Sequence, residues 1–390
     1  MTDRSPARII ACVDTGVDDA MALAYLLASP AECELAGVLA GYGNVDAATA
    51  ERNTRLVLDL FGRPDIPVFR SSTHPSWADS FIPDAGCARF HGADGLGGYV
   101  EGSRSGTGRS ASSADSDDLD ESDDLATAVP DAARPDGVVS VGGYRIDDPH
   151  ANPAGGWRVS PFADGEDDSP RLDGIGFLID QVRRYGRGVT VLATGPLTDM
   201  DAAIGRAPDI AGKLRLVMMG GTLSQPGNCW DAVAETNVIQ DPEAADRVLH
   251  SGADVTMVGL DVTHRCLLPS KAADRWRSTG TERGRFLARL ADFSIAANLE
   301  ADPAIFAGGM PLHDPLAAAV ALDPTLVSTF GIALRAETAT GDFTGVRGRT
   351  TGDPVGLVTP DAPRVHVALD VDADRFTSRF VDRLAALCAA

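Results

Sequence analysis

Residues 8–20 read RIIACVDTGVDDA, and this stretch decides the fold. Its first half, Arg8 to Asp14, is a short, almost wholly apolar run of the kind buried in a parallel sheet. From Val17 the spacing changes: Val17, Met21, Leu23, Ala24 and Leu27 follow a helical period. Gly16 permits the tight turn between the two. The pattern then repeats. Residues 34–40 (ELAGVLA) predict a second strand, and residues 46–62 a second helix closed by Gly62. A strand–helix–strand–helix opening predicts an α/β fold, a Rossmann-like open sheet, mostly parallel, with helices on both faces.

Three carboxylates, Asp14, Asp18 and Asp19, fall where the first strand becomes the first helix. In open α/β sheets ligands bind at the carboxyl ends of the strands. One Asp there is an ordinary helix cap. Three repel one another, and a hard cation with oxygen ligands, calcium or magnesium, relieves the repulsion. Two further stretches sit at comparable positions: Thr194-Gly195-Pro196 after a strand, and His313-Asp314-Pro315 before a helix. A phosphatase of the haloacid dehalogenase type is excluded, because it needs a second Asp two positions before Asp14, where this chain has Cys12.

Further along, helices are expected at 174–185, from Thr198, at 241–250, 282–300, 314–322 and 373–388. Strands are expected at 189–193, 214–218 and 254–259, with short strands and turns over 326–370. Between about 101 and 170 the order breaks. That stretch, with GSRSGTGRSASSADSDDLDESDD at its heart, is too polar to bury the apolar surface that offsets chain entropy. It is expected to be a flexible acidic insertion in a single 390-residue domain, bordering the ligand pocket.

The chain carries 34 basic and 56 acidic residues, a net charge of −22. Such a balance argues against a general nucleic-acid surface, which needs a positive field. No apolar run reaches the roughly 18 residues of a membrane span. The opening residues lack a signal-peptide pattern, so the expected location is the cytoplasm. The six cysteines are scattered without a CxxC pair and read as free thiols rather than a zinc site.

Taken together, CVDTGVDDA (12–20), AGYGNV (40–45), HGADGLGG (91–98), ATGPLTDM (193–200), MMGG (218–221), AETNVIQDPEAA (234–245), LDVTHRCLL (260–268) and PLHDPLAAA (311–319) resemble the inosine–uridine-preferring nucleoside hydrolase family. The tail, GDFTGVRGRT and VHVALDVDADRF, is similar too. The likeness spans nearly the whole chain outside 101–170. It implies a calcium-dependent enzyme that hydrolyses the N-glycosidic bond of ribonucleosides to ribose and free base. Asp14, Asp19, Asp314 and the backbone carbonyl of Thr194 match its calcium ligands. The calcium also takes the ribose 2′- and 3′-hydroxyls and a water, which Asp14 deprotonates for attack on C1′ through an oxocarbenium-like transition state. Asp18 and Asn44 match ribose-hydroxyl contacts. Asn228, Glu235 and Asn237 match contacts on the 5′ side of the sugar, and Met219 lines the sugar pocket. His313 and His91 are the candidates to assist the leaving base. The family also implies a homodimer or homotetramer.

The chain departs from the pattern DxDPGxDDA at two places: Cys12 stands for the first Asp and Thr15 for the proline. Thr236 occupies a position where an aromatic is common, and the stretch from Met219 to Glu235, which contains Trp230 as a candidate base-stacking group, is longer than usual. Two other readings are compatible with the motifs: hydrolysis of a nicotinamide or modified-base riboside, and a non-catalytic calcium- or sugar-binding protein on the same fold.

Overall fold

The computed structural model describes residues 5–100, 139–141, 144–146, 173–229, 233–340, 346–358 and 360–390. Its central sheet is built from β1 (Ala7–Val13), β2 (Cys33–Ala40), β3 (Val68–Arg70), β4 (Val189–Ala193), β5 (Arg215–Met219), β6 (Asp254–Val258), β7 (Val327–Ala336), β8 (Thr350–Asp353) and β9 (Arg364–Val371). The strand order is β8-β7-β9-β6-β5-β4-β1-β2-β3. From β9 to β3 every pairing is parallel, and only β7 runs against its neighbours β9 and β8.

Alternation along β1 shows why both faces are covered. Ile9, Ala11 and Val13 point into one core layer, Ile10 and Cys12 into the other. The first layer packs under α1 (Val17–Leu27), α10 (Glu282–Ala301), α12 (His313–Leu322) and α13 (Ala373–Ala389). The second packs under α4 (Gly174–Tyr185), α5 (Thr198–Arg206) and α7 (Pro242–Leu249). The remaining helices are α2 (Ala47–Leu60), α3 (Ala85–His91), α6 (Thr236–Gln240), α8 (Leu260–Thr263), α9 (Ser270–Arg277) and α11 (Pro303–Phe306).

The α/β reading thus holds. The single helix expected at 241–250 is preceded by a separate turn of helix, α6, and the 326–370 region holds the antiparallel part of the sheet. Of the 101–170 insertion, only two three-residue strands, Val139–Val141 and Tyr144–Ile146, are described, and they pair antiparallel. The rest of it, like Trp230, lies outside the described residues.

The chain runs from β1 outward to β2 and β3, then returns to place β4 on the other flank of β1. The order therefore reverses between β1 and β4, and the crevice of an open sheet forms beyond the carboxyl ends of such a pair. Cys12 lies level with Ala193, so Asp14 and Thr194 emerge side by side.

Candidate active site at the switch point of the sheet

Four carboxylates meet in that crevice. Asp14 follows β1, Asp18 and Asp19 stand in the first turn of α1, and Asp314 in the first turn of α12. Their exposures are 1%, 7%, 0% and 2%. Carboxylate oxygens of Asp18, Asp19 and Asp314 lie within 4.8 Å of one another. Asp19 is held by the Gly16 amide at 2.9 Å, the Asn44 side-chain amide at 3.2 Å and the Thr194 hydroxyl at 2.7 Å. Asp14 uses Oδ2 to accept the Asn44 backbone N–H at 2.6 Å. Asp14 Oδ1 and Asp18 Oδ1 are buried without a hydrogen-bond partner among the described residues.

Burial, and after it the mutual repulsion of the cluster, drives Asp14 and Asp314 well above the ordinary carboxylate range. Asp18 is pushed up to about 6 by burial, and Asp19 rises for the same reason. Two helix N-termini favour negative charge here, but only by a fraction of what burying four carboxylates costs. Crowded oxygen donors with bare buried lone pairs, and no lysine or arginine bonded to them among the described residues, fit a hard divalent cation. Asp18 completes this oxygen cluster; the run of three Asp residues had already set it beside a cation, whereas the family resemblance assigned it to the ribose.

The second wall comes from the ends of β4 and β5 and from α6. The Asn237 side-chain amide donates to the Thr194 carbonyl at 2.7 Å and to the Met219 carbonyl at 3.2 Å. Glu235 caps α6, accepting the amides of Gly221, Asn237 and Val238 at 2.9, 3.0 and 3.2 Å. Even so, burial outweighs these bonds and lifts its carboxyl to about 7. Asn228 lines the same cavity, but its Oδ1 is occupied by the Thr236 amide and hydroxyl, each at 3.1 Å.

The third wall carries histidines. His91 ends α3, and its Nδ1 accepts the Val17 amide at 3.1 Å. A backbone N–H can only donate, so the ring proton sits on Nε2. Burial lowers this imidazole to about 4, although Asp18 Oδ1 is 3.7 Å away. His313 Nδ1 lies 2.8 Å from the Thr263 hydroxyl. Burial and the neighbouring His264 push His313 well below its ordinary value. The His264 ring stands 5.6 Å from both His313 and Phe306, edge-on to each.

These walls enclose a cavity of about 580 Å³, within the range of small-molecule sites. Asp18, Asn44, Thr194, Met219, Asn228, Glu235, Asn237, His91, His313 and Asp314 all line it. Asp14 and Asp19 lie behind, bonded to Asn44. Sequence reasoning assigned no role to His264, Phe306, Phe90, Ser294 or Asn298, which also line the cavity. The i, i+4 spacing of Ser294 and Asn298 in an otherwise apolar stretch of α10 was the one available signal. The Asn298 amide donates to the Ser294 carbonyl at 2.8 Å and hydroxyl at 3.1 Å.

Residues 9–378 match the family model described as inosine-uridine preferring nucleoside hydrolase. The pyrimidine-specific ribonucleoside hydrolase RihA of Klebsiella pneumoniae subsp. pneumoniae is 31% identical over 373 residues, covering 95% of this chain and 96% of that one. Among solved structures, the purine-preferring ribonucleoside hydrolase from Gardnerella vaginalis is 35% identical with a TM-score of 0.74, covering 98% of this chain and 99% of its own. A plant nucleoside hydrolase, PpNRh1, is 26% identical with a TM-score of 0.72, at the same coverage of both chains.

Proposed function

The chain belongs to the inosine-uridine preferring nucleoside hydrolase family, and on that premise we propose that it cleaves the N-glycosidic bond of ribonucleosides with a water that Asp14 deprotonates. The observation that carries this reading is the bare, buried Oδ1 of Asp14 beside the oxygen cluster of Asp18, Asp19 and Asp314. Asp14, Asp19, Asp314 and the Thr194 carbonyl would hold calcium, with Asp18 adjoining. A cation bound there supplies Lewis-acid chemistry toward sugar hydroxyls and water.

The residues divide the remaining work. The Asn44 amide fixes Asp14 Oδ2, leaving Oδ1 to receive a proton from water. As the bond between C1′ and the base nitrogen breaks, its electron pair leaves with the base, and positive charge spreads over C1′ and the ring oxygen. The carboxylate-rich floor favours that charge. The water oxygen then bonds to C1′, giving ribose. Neutral His91, its proton on Nε2, and His313, both lining the cavity, are assigned to donate to the departing base. Glu235, Asn237 and Asn228 line the same cavity and are assigned to the 5′ side of the sugar.

Base preference does not transfer, because the RihA relative is named pyrimidine-specific and the Gardnerella structure purine-preferring, at similar identity. The test is ribose release from inosine, adenosine, guanosine, uridine and cytidine with calcium present. The wild type is expected to release ribose, and Asp14→Ala to be slower by about a hundredfold or more. Calcium binding without ribose release from any of the five would overturn the reading in favour of another riboside or a non-catalytic binding protein.

A further inference from the structure

Cys12 replaces the first carboxylate of the DxDPGxDDA pattern, yet the space beside it is not without one. Cys12 and Asp199, each 5% exposed, line one gap of about 10 Å³ together with Gly41, Tyr42, Ser72 and Thr198. Cys12 reaches it from the end of β1, and Asp199 from the first turn of α5 on the facing layer. Among the described residues no lysine, arginine or histidine lines the gap. A buried carboxylate without a cationic partner is costly to keep, so its bonds matter.

Those bonds lead into the site. Asp199 Oδ1 accepts both the Ser72 amide and the Ser72 hydroxyl. The Ser72 carbonyl accepts the Tyr42 amide at 3.0 Å, and the Tyr42 hydroxyl is 2.8 Å from that of Thr198, next to Asp199. A Cβ on Gly41 would stand 3.8 Å from Asp199 Oδ2, so the second oxygen faces the loop 41–44. Two residues past Tyr42, Asn44 grips Asp14 through its backbone and Asp19 through its side chain. Asp199 therefore anchors the loop whose tip orients two carboxylates of the site.

We propose that in this chain the carboxylate the motif carries at position 12 has moved to position 199. Asp199 is then a positioning residue that acts through Ser72, Tyr42 and Asn44 on Asp14 and Asp19. The proposal rests on the reading of the site as a metal-dependent hydrolase, but it can be followed by metal binding alone. It also makes Cys12 a permissive residue: a second carboxylate at position 12 would crowd an anion already in the gap.

The experiment measures calcium affinity by calorimetry on chelator-treated protein, with kcat, KM and melting temperature alongside, for Asp199→Ala, Cys12→Asp and the double variant. Asp199→Ala is expected to weaken calcium binding and to lower kcat by about tenfold to a hundredfold, the effect of losing an outer support of a metal site, while KM changes little. Cys12→Asp alone is expected to be harmful as well. Joined to Asp199→Ala it is expected to restore most of both losses, because it refills the gap with one carboxylate. Unchanged calcium affinity and kcat in Asp199→Ala, or a double variant no better than Asp199→Ala, overturns the proposal. Should Asp199→Ala fail to fold, Ser72→Ala, which removes one of the two bonds to Asp199, must show a smaller loss in the same direction; no loss overturns it equally. A wild type that binds calcium but releases no ribose would remove the hydrolase reading, while the calcium titrations still decide the role of Asp199.

Discussion

Removing the metal should leave a protein that loses stability as the pH rises, and calcium should restore most where the pH is highest. Burial moves the Asp18 carboxyl from 3.8 to about 6 in the folded chain. The folded state therefore holds this proton more tightly than the unfolded one. The stability it contributes is fully present below pH ~3.8 and is lost as the pH climbs through about 6, amounting to up to about 3 kcal/mol. Asp14, Asp19 and Asp314 are displaced in the same direction and steepen the slope. About half of it, roughly 1.4 kcal/mol, is lost between about pH 5 and pH 8; at about 2.1 cal/mol/K of unfolding entropy per residue, Asp18 alone shifts the melting temperature of a chain this size by about 2 °C over that window. Scanning calorimetry of chelator-treated protein between about pH 5 and pH 8, at fixed ionic strength and with or without calcium, reads the effect. General repulsion from a net charge of −22 acts in the same direction, so Asp18→Asn is the discriminating variant, and its metal-free profile should be flatter by Asp18's share. A metal-free melting temperature that is level or rises across this window, or an Asp18→Asn profile parallel to that of the wild type, would falsify the account of the buried cluster.

Two substitutions test the placement of the reacting groups. Gly43→Ala would set a Cβ 2.0 Å from Asp14 Oδ2, and overpacking of that kind costs about 1–3 kcal/mol; kcat should fall by about tenfold or more, and normal kinetics would show that Asp14 tolerates displacement. Thr263→Val removes the hydroxyl 2.8 Å from His313 Nδ1 while keeping the side-chain shape; kcat should drop by about tenfold, with KM and melting temperature nearly unchanged and Thr263→Ser close to wild type, whereas equal kcat in all three would deny His313 a part in base departure.

What could be read from the sequence follows the range of the interactions involved. The strand and helix around Asp14 were legible because alternation and helical spacing are local. β3 escaped because three residues carry too little pattern, and α3, AGCARFH, has no apolar stripe to betray a helix. The strand-end position of Asp14 and Thr194 was legible, since a sheet delivers such residues to one edge; Asp314, expected at a strand end too, comes instead from the first turn of α12 outside the central sheet, and the placing of β1 beside β4, which makes that edge a crevice, is a tertiary choice. Gly16 shows the boundary well. As a turn glycine it was readable, but a Cβ there would stand 2.3 Å from His91 Nδ1, brought up from 75 positions away. The same holds at Cys12. From the motif alone it is a missing carboxylate, and only the packing of α5 against β1 shows that Asp199 stands in the same space. A substitution at a motif position is therefore not evidence of lost function until the three-dimensional neighbours of that position have been searched for the group it lacks.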